Sequence, residues 1–160
     1  MKGKLLLNHK LRAALLMLFL CALYPLHSYG ANPTTTYNSQ VYSINLQENY
    51  ATVTGPKEGW DRYSVEFTNS ITYGNNEYPV TVIGVAAYRK RTKLRSLNLP
   101  EGLQIIEENA FSHCTGLTGT LKFPESLTTI GNECFYNCNN LTGLTFGKSL
   151  TMMLFIIVQN

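Results

Sequence analysis

Short stretches of alternating apolar and polar residues fill residues 36–79, and this period of two predicts β-strands. The stretches VYSINL and YATVTG flank QEN, which predicts a β-hairpin. A second hairpin is expected in ITYGNNEYPV, because the glycine and asparagines at its centre tolerate positive φ. RYSVEF is a further strand candidate. Residues 36–79 are therefore expected to be rich in β structure.

From Val80 to Leu150 the apolar positions recur with a spacing of 23 to 24 residues. The clearest pair of units aligns Leu97, Leu99, Pro100, Leu103, Ile106, Ala110, Phe111 and Cys114 with Leu121, Phe123, Pro124, Leu127, Ile130, Cys134, Phe135 and Cys138. A degenerate copy precedes this pair and a partial copy follows it. Because unlike residue types keep their order, this part of the chain is an internal repeat.

Each unit is expected to begin with a short strand. LNL, LKF and LTF each place two apolar side chains on one face, and the residue between them points the other way. Pro100 and Pro124 end two of these strands, because proline has no N–H to donate to a ladder.

After each strand, EENAF and NECFY are expected to form a turn of helix that places a small residue and an aromatic ring in the interior. One unit cannot bury this face alone, so stacked units share one core. The predicted fold class is a β-rich α/β solenoid over residues 80–150. An open end would expose that core, so residues 36–79 are interpreted as an N-terminal cap, and residues 31–35 as a disordered leader.

The motif IGNECFYNCNNL closely resembles the IGxxAFxxCxxL signature of the BspA-like leucine-rich repeats of bacterial surface proteins. IIEENAFSHCTGL matches this signature less fully, and VIGVAAYRKRTKL is similar to a degenerate first copy. The resemblance covers residues 80–150. It implies a leucine-rich repeat fold and a cell-surface protein that adheres to host matrix or to other microbes.

The strand positions that point outward are small and polar, which suits a wet, weak and multivalent contact surface. These candidate binding residues are Ser96, Asn98, Thr120, Lys122, Gly143 and Thr145. The expected partner is an extracellular protein or glycan, and no nucleic acid is expected. The alternatives are a structural spacer that binds nothing, or a non-functional fragment of a longer surface protein.

The N-terminus has the order of a secretory signal peptide. MKGKLLLNHKLR is basic, AALLMLFLCALY is apolar, and the small residues Ser28 and Gly30 follow. We expect cleavage of residues 1–30 after about Gly30, and a mature chain that is secreted or held at the cell surface. That chain has 9 basic and 10 acidic side chains, so its charge gives no argument for nucleic-acid binding.

The sequence offers no assembled catalytic or metal site, so we expect no enzyme activity, no cofactor and no metal. His113 stands beside Cys114, but adjacent side chains diverge, and Cys114 falls at an inward position of the repeat. Cys134 and Cys138 have no second pair of ligands for zinc. The GKS of residues 147–149 lacks the spacing of a phosphate-binding loop.

Two features each keep two interpretations. RKRTKLR, residues 89–95, is either a site for anionic polymers or an acidic partner, or a solvated loop between units, which we favour. Cys114 and Cys138 lie one unit apart and either form a disulfide or pack as free thiols, which is our default.

The third repeat begins at Leu141 and departs from the pattern after Leu150, where Thr151 and MMLFIIVQN follow. Codons that could encode this stretch, read one base earlier, give Asp-Asp-Ala-Phe-Tyr-Asn-Cys-Ser, which is close to the repeat signature. We therefore expect residues 151–160 to be an aberrant tail, left by a frameshift in a longer repeat gene. The alternative is an apolar C-terminal strand; seven apolar residues cannot span a bilayer.

Overall fold

The computed structural model describes residues 32–153, which form strands and turns without a helix. No helix in this part of the chain is therefore long and apolar enough to cross a membrane. The strands are β1 Thr34–Tyr37, β2 Gln40–Asn45, β3 Tyr50–Pro56, β4 Ser64–Glu66, β5 Ser70–Tyr73, β6 Asn76–Ile83, β7 Ser96–Asn98, β8 Ile105–Ile106, β9 Gly119–Lys122, β10 Thr129–Ile130, β11 Leu141–Thr145 and β12 Met152–Met153. The predicted signal peptide and its cleavage position lie outside the described residues, as do residues 154–160 of the tail.

Two antiparallel hairpins form in the N-terminal part, as the alternating pattern predicts. β2 pairs with β3, and β5 pairs with β6 around Gly74, whose φ is 61°. The prediction that residues 31–35 are a disordered leader is wrong for Thr34 and Thr35. These two residues belong to β1 and lie opposite Ser43 and Tyr42 of β2. Threonine is β-branched and fits the pleated edge of a sheet.

The first hairpin is joined to the repeats by a parallel ladder. The largest sheet has the order β1-β2-β3-β6-β8-β10-β12, and β3, β6, β8, β10 and β12 run parallel. One column of this sheet aligns Val53, Ile83, Ile106 and Ile130, all fully buried. β3 thus occupies the place that a preceding repeat would take beside β6.

Two-residue strands recur in the repeats where none was predicted. Ile105–Ile106 and Thr129–Ile130 pair in parallel, although only the burial of Ile106 and Ile130 followed from the repeat pattern. A strand of two residues is too short to show alternation in the sequence. Each repeat therefore contributes two short strands to the fold.

A second series of short strands corresponds to the predicted LNL, LKF and LTF segments. β9 pairs in parallel with β11, and β7 pairs in parallel with β4. Val65 of β4 lies opposite Leu97 of β7, so the repeat pattern extends back beyond the predicted boundary at residue 80. The hairpin β5–β6 is inserted between β4 and the rest of its repeat. It lengthens the spacing between Val65 and Leu97 beyond the regular repeat period.

The predicted turns of helix are instead single hydrogen-bonded turns. The Ala110 amide donates to the Glu107 carbonyl at 3.3 Å, and the Ser112 amide donates to the Asn109 carbonyl at 3.0 Å. Asn109 and His113 have positive φ values of 58° and 62°, which interrupt a helical path. The small and aromatic residues of these turns are nevertheless buried, as predicted.

Backbone hydrogen bonds also join these turns from one repeat to the next. The Tyr88 amide donates to the Ala110 carbonyl at 2.7 Å, and the Phe111 amide donates to the Cys134 carbonyl at 2.9 Å. On either side of Tyr88, the Ala86 amide donates to the Glu108 carbonyl and the Lys90 amide donates to the Ser112 carbonyl. Successive repeats are therefore held in register by the main chain as well as by the core.

The repeat register continues further towards the C-terminus than predicted. β12 pairs in parallel with β10, and the Thr151 amide donates to the Thr128 carbonyl at 3.1 Å. Residues 151–153 thus occupy repeat positions, and the frameshift origin of the tail stays a prediction. They have this structure because residues 152 and 153 lie one repeat period after Thr129 and Ile130.

Candidate binding surface

The outward positions of the second strand series form one exposed surface, which we call the strand face. Its members are Ser64, Glu66, Ser96, Asn98, Thr120, Lys122, Gly143 and Thr145; all are exposed except Gly143, which is half-buried. Six of these eight were predicted from the sequence. Ser64 and Glu66 were missed, because the inserted hairpin hides the relation of β4 to β7.

Strand register aligns these residues in two columns. Ser64 lies opposite Ser96, and Glu66 lies opposite Asn98. In the next pair of strands Thr120 lies opposite Gly143, and Lys122 lies opposite Thr145. The polar side chains therefore repeat at the distance between paired strands, roughly 4.8 Å.

A hydrogen bond between main-chain groups connects the two strand pairs. The Thr118 amide, just before β9, donates to the Arg95 carbonyl, just before β7, at 3.1 Å. On the inner side Leu121 is buried, and Leu97 packs against the same core. The apolar interior thus supports both halves of the strand face.

The chemistry of the strand face is mostly that of hydroxyl groups. It carries four of them, one amide, one carboxylate at Glu66 and one ammonium group at Lys122. At Gly143 the strands approach closely, because an added Cβ would lie only 3.2 Å from Thr120 Oγ1. Such a surface offers many hydrogen bonds and little apolar area.

An open cavity of about 360 Å³ lies at the N-terminal end of the strand face. Its lining residues are Asn38, Ser39, Gln40, Arg62, Ser64, Val65 and Glu66. Arg62 and Glu66 give it one charge of each sign. The sequence did not reveal it, because the β1–β2 turn meets β4 only through tertiary contacts.

His113 and Cys114 do not form a nucleophile and base. The Cys114 thiol donates to the Tyr88 carbonyl at 3.0 Å, and burial raises the pKa of this thiol to about 12. His113 Nδ1 lies 3.0 Å from Asn137 Nδ2, and its ring meets the Tyr136 ring edge-on. The two side chains therefore have separate structural contacts.

All three cysteines of the repeats are buried and free, which favours packed thiols over a disulfide. Cys138 repeats the contact of Cys114 one unit later, since its thiol donates to the Phe111 carbonyl at 3.2 Å. Burial raises the pKa of Cys134 as well, and that of Cys138 to about 11. Residues 32–153 contain no group of three His, Cys, Asp or Glu side chains that could hold a metal ion.

The repeats match a known family. Residues 62–154 match the BspA type leucine rich repeat region, in six copies. The match begins before residue 80, in agreement with the place of β4 among the repeat strands. No curated protein matches the chain.

Solved bacterial structures have a similar fold. A leucine-rich repeat protein from Bacteroides capillosus is 24% identical with a TM-score of 0.54, and the match covers 71% of this chain and 97% of that one. For the T. pallidum leucine rich repeat protein the identity is 22% and the TM-score 0.56, over 76% and 64% of the two chains. The pneumococcal vaccine antigen PcpA is 19% identical with a TM-score of 0.50, over 76% and 40%. The matched region spans less than two thirds of the last two proteins.

Proposed function

This chain belongs to the BspA-type leucine-rich repeat family, and we propose that it is a recognition protein whose strand face binds an extracellular protein. The register of the strand face carries this proposal. Valine, leucine and phenylalanine fill the inner positions of β4, β7, β9 and β11 or their flanks, and exposed polar residues occupy the outer positions except at Gly143. Separate polar side chains are thereby brought together on two pairs of strands.

An exposed surface of polar side chains favours many weak hydrogen-bonding contacts with a partner. Hydroxyl groups donate and accept hydrogen bonds, and water fills the gaps in such interfaces at little cost. Affinity then rises with the number of contacts made at once, and further repeats or several copies at a cell surface would add to it. We therefore infer a weak, multivalent mode of adhesion.

The inferred site of action is outside the cell. Basic, apolar and small residues follow one another in residues 1–30 in the order of a secretory signal peptide. We infer that the chain is exported and acts in the secreted or surface-held form.

A structural spacer is the second candidate function. The strand face lacks tryptophan, tyrosine and arginine, the residues that supply most of the energy in strong interfaces. A spacer would need only the core of the repeats and would tolerate changes on this face.

Paired substitutions distinguish the two functions. Asn98→Arg with Thr120→Arg adds two bulky charges to the strand face, whereas Gln104→Arg with Asn132→Arg adds the same charges at exposed positions elsewhere. Binding to a panel of immobilised extracellular matrix proteins is measured for each variant. We expect saturable binding that the first pair weakens by about tenfold or more and the control pair leaves unchanged. Saturable binding that neither pair weakens would place the binding surface away from the strand face, and the absence of saturable binding favours the spacer.

A further inference from the structure

The charges of the chain are strongly segregated. Residues 57–63 and 89–95 together contain seven basic and two acidic side chains. All other residues after position 31 contain two basic side chains, Lys122 and Lys148, and eight acidic ones. A near-neutral total thus conceals one cationic region and an otherwise acidic molecule, which produces a directional field around the protein.

The fold brings these two segments together side by side. The Arg91 guanidinium lies 5.9 Å from the centre of the Trp60 ring, and the Arg95 guanidinium lies 5.0 Å from that of Tyr63. The Arg95 amide donates to the Tyr63 carbonyl at 2.7 Å, just before the paired strands β4 and β7 begin. The parallel pairing of these strands therefore places the basic and aromatic side chains on one surface.

We call this surface the basic-aromatic face. It consists of Trp60, Tyr63, Lys90, Arg91, Lys93 and Arg95. A shallow cavity of about 170 Å³ lies between Trp60 and residues 90–93. Asp61 pairs with Lys93 at 2.7 Å across this region, and both side chains remain well exposed.

We propose that the basic-aromatic face binds an acidic polysaccharide, a polymer of sugars that carries carboxylate or sulfate groups. Guanidinium groups bind such anions with paired hydrogen bonds, and the exposed lysines add charge that adapts to their spacing. Aromatic rings offer flat apolar surfaces to the C–H faces of sugar rings. The shallow and open shape suits a polymer that crosses the surface rather than a small enclosed ion.

The same residues favour a polysaccharide over a nucleic acid. The basic-aromatic face has two aromatic rings, Trp60 and Tyr63, each with a guanidinium over one ring face, whereas proteins that bind single strands stack successive bases on a series of rings. Asp61 and Glu58, both exposed, interrupt the positive surface, and a nucleic acid has a phosphate at every residue with which to meet them. Sugars, in contrast, present hydroxyl groups that can donate to these carboxylates.

This site adjoins the strand face but shares no residue with it. Tyr63 and Arg95 directly precede Ser64 and Ser96, so one ligand could contact both surfaces. Polysaccharide binding does not depend on the proposed protein recognition, and each is tested with its own variants.

The test compares two charge-neutralised variants of the full chain. Arg91→Gln, Lys93→Gln and Arg95→Gln together remove three cations from the basic-aromatic face. Lys148→Gln, the control, removes an exposed cation that lies outside residues 57–63 and 89–95 and outside the strand face. If the triple variant has an altered circular dichroism spectrum, Lys90→Gln with Lys93→Gln, at two exposed positions of the same face, replaces it. The probes are heparin, uncharged dextran and an oligo-dT strand of similar length.

We expect heparin to bind saturably, with an affinity that falls as salt rises. The neutralised face should weaken heparin binding by about tenfold or more, and the Lys148 variant should stay within about twofold of the parent chain. Tyr63→Ala should also weaken it, although no charge is lost. Dextran should not bind, and oligo-dT should bind more weakly than heparin. Unchanged heparin binding by the neutralised face, equal binding of dextran, or tighter binding of oligo-dT would each overturn the proposal.

Discussion

Phe111 stacks on Phe135, one repeat later, with ring centroids 5.4 Å apart and ring planes within 5° of parallel. Tyr88 extends the stack on the other side of Phe111 at 5.4 Å. All three side chains are fully buried. The aromatic position of each repeat therefore packs mainly against the same position of its neighbours, and the repeats stabilise one another.

Removal of the central ring should destabilise the whole fold. Phe111→Ala leaves a cavity between Tyr88 and Phe135, and substitutions of this kind cost about 3–5 kcal/mol of the free energy of unfolding. Phe111→Leu, which keeps more of the volume, should cost markedly less. Urea unfolding followed by circular dichroism measures both. A loss below about 1 kcal/mol for the alanine variant would contradict a shared aromatic core.

Two glycines that differ only in their surroundings test the close approach of neighbouring repeats. A Cβ at Gly131 would lie 2.5 Å from the backbone nitrogen of Glu108 and 2.7 Å from the carbonyl carbon of Glu107. Gly131→Ala should therefore cost about 1–3 kcal/mol, as overpacking does. A Cβ at Gly102 would have no such atom within 4 Å, so Gly102→Ala should change the free energy of unfolding very little. Equal melting temperatures for the two variants would show that the repeats do not approach in this way.

Tyr88 holds a buried side chain of the N-terminal hairpin. Its hydroxyl donates to Gln40 Oε1, and Gln40 is only 2% exposed. Tyr88→Phe restores the usual aromatic residue of the repeat signature, yet it should cost about 1–3 kcal/mol, because it leaves a buried amide oxygen unpaired. Gln40→Leu in the same chain should recover part of that loss. A double-mutant cycle that gives no coupling between the two positions would argue against this contact.

Stability should fall at alkaline pH because of the buried thiols. Their folded pKa values are raised by burial, to about 12 for Cys114 and about 11 for Cys138, above the ordinary value near 8.5. Their stabilising contribution is complete below the unfolded pKa and is lost as pH rises towards the folded value, by up to about 1.4 kcal/mol per pH unit and thiol.

Cys134→Ala isolates one thiol, because alanine occupies the matching position, Ala110, of the preceding repeat. The pKa of Cys134 is also raised by burial, so the variant should lose free energy of unfolding less steeply than the parent chain between pH 9 and 10. Chemical unfolding at several pH values measures the two slopes. Identical slopes would place the thiol in water.

The repeat period alone predicted most of the interior. Leu103, Ile106, Phe111 and their partners one unit later are buried because a fixed period brings like positions together in the stack. The same period identified six outward positions of the strand face. It could not identify the two-residue strands β8 and β10, whose pairing depends on the neighbouring repeats and not on local alternation.

The charged surface required tertiary structure to be seen. The sequence alone favours a solvated loop for RKRTKLR, because no pattern in it places this segment near Trp60 or Tyr63. Those aromatic residues reach it only because β4 pairs in parallel with β7 across an inserted hairpin. Because of the same insertion, the sequence pattern assigned β4 to the N-terminal cap and not to the repeats.

The most direct test of repeat stacking is detection of scalar couplings across hydrogen bonds by NMR. We predict a coupling from the Tyr88 amide to the Ala110 carbonyl and one from the Phe111 amide to the Cys134 carbonyl. These bonds exist only if successive repeats lie side by side in the described register. Couplings from these amides to other carbonyls would contradict it, as would rapid exchange of both amide protons with solvent.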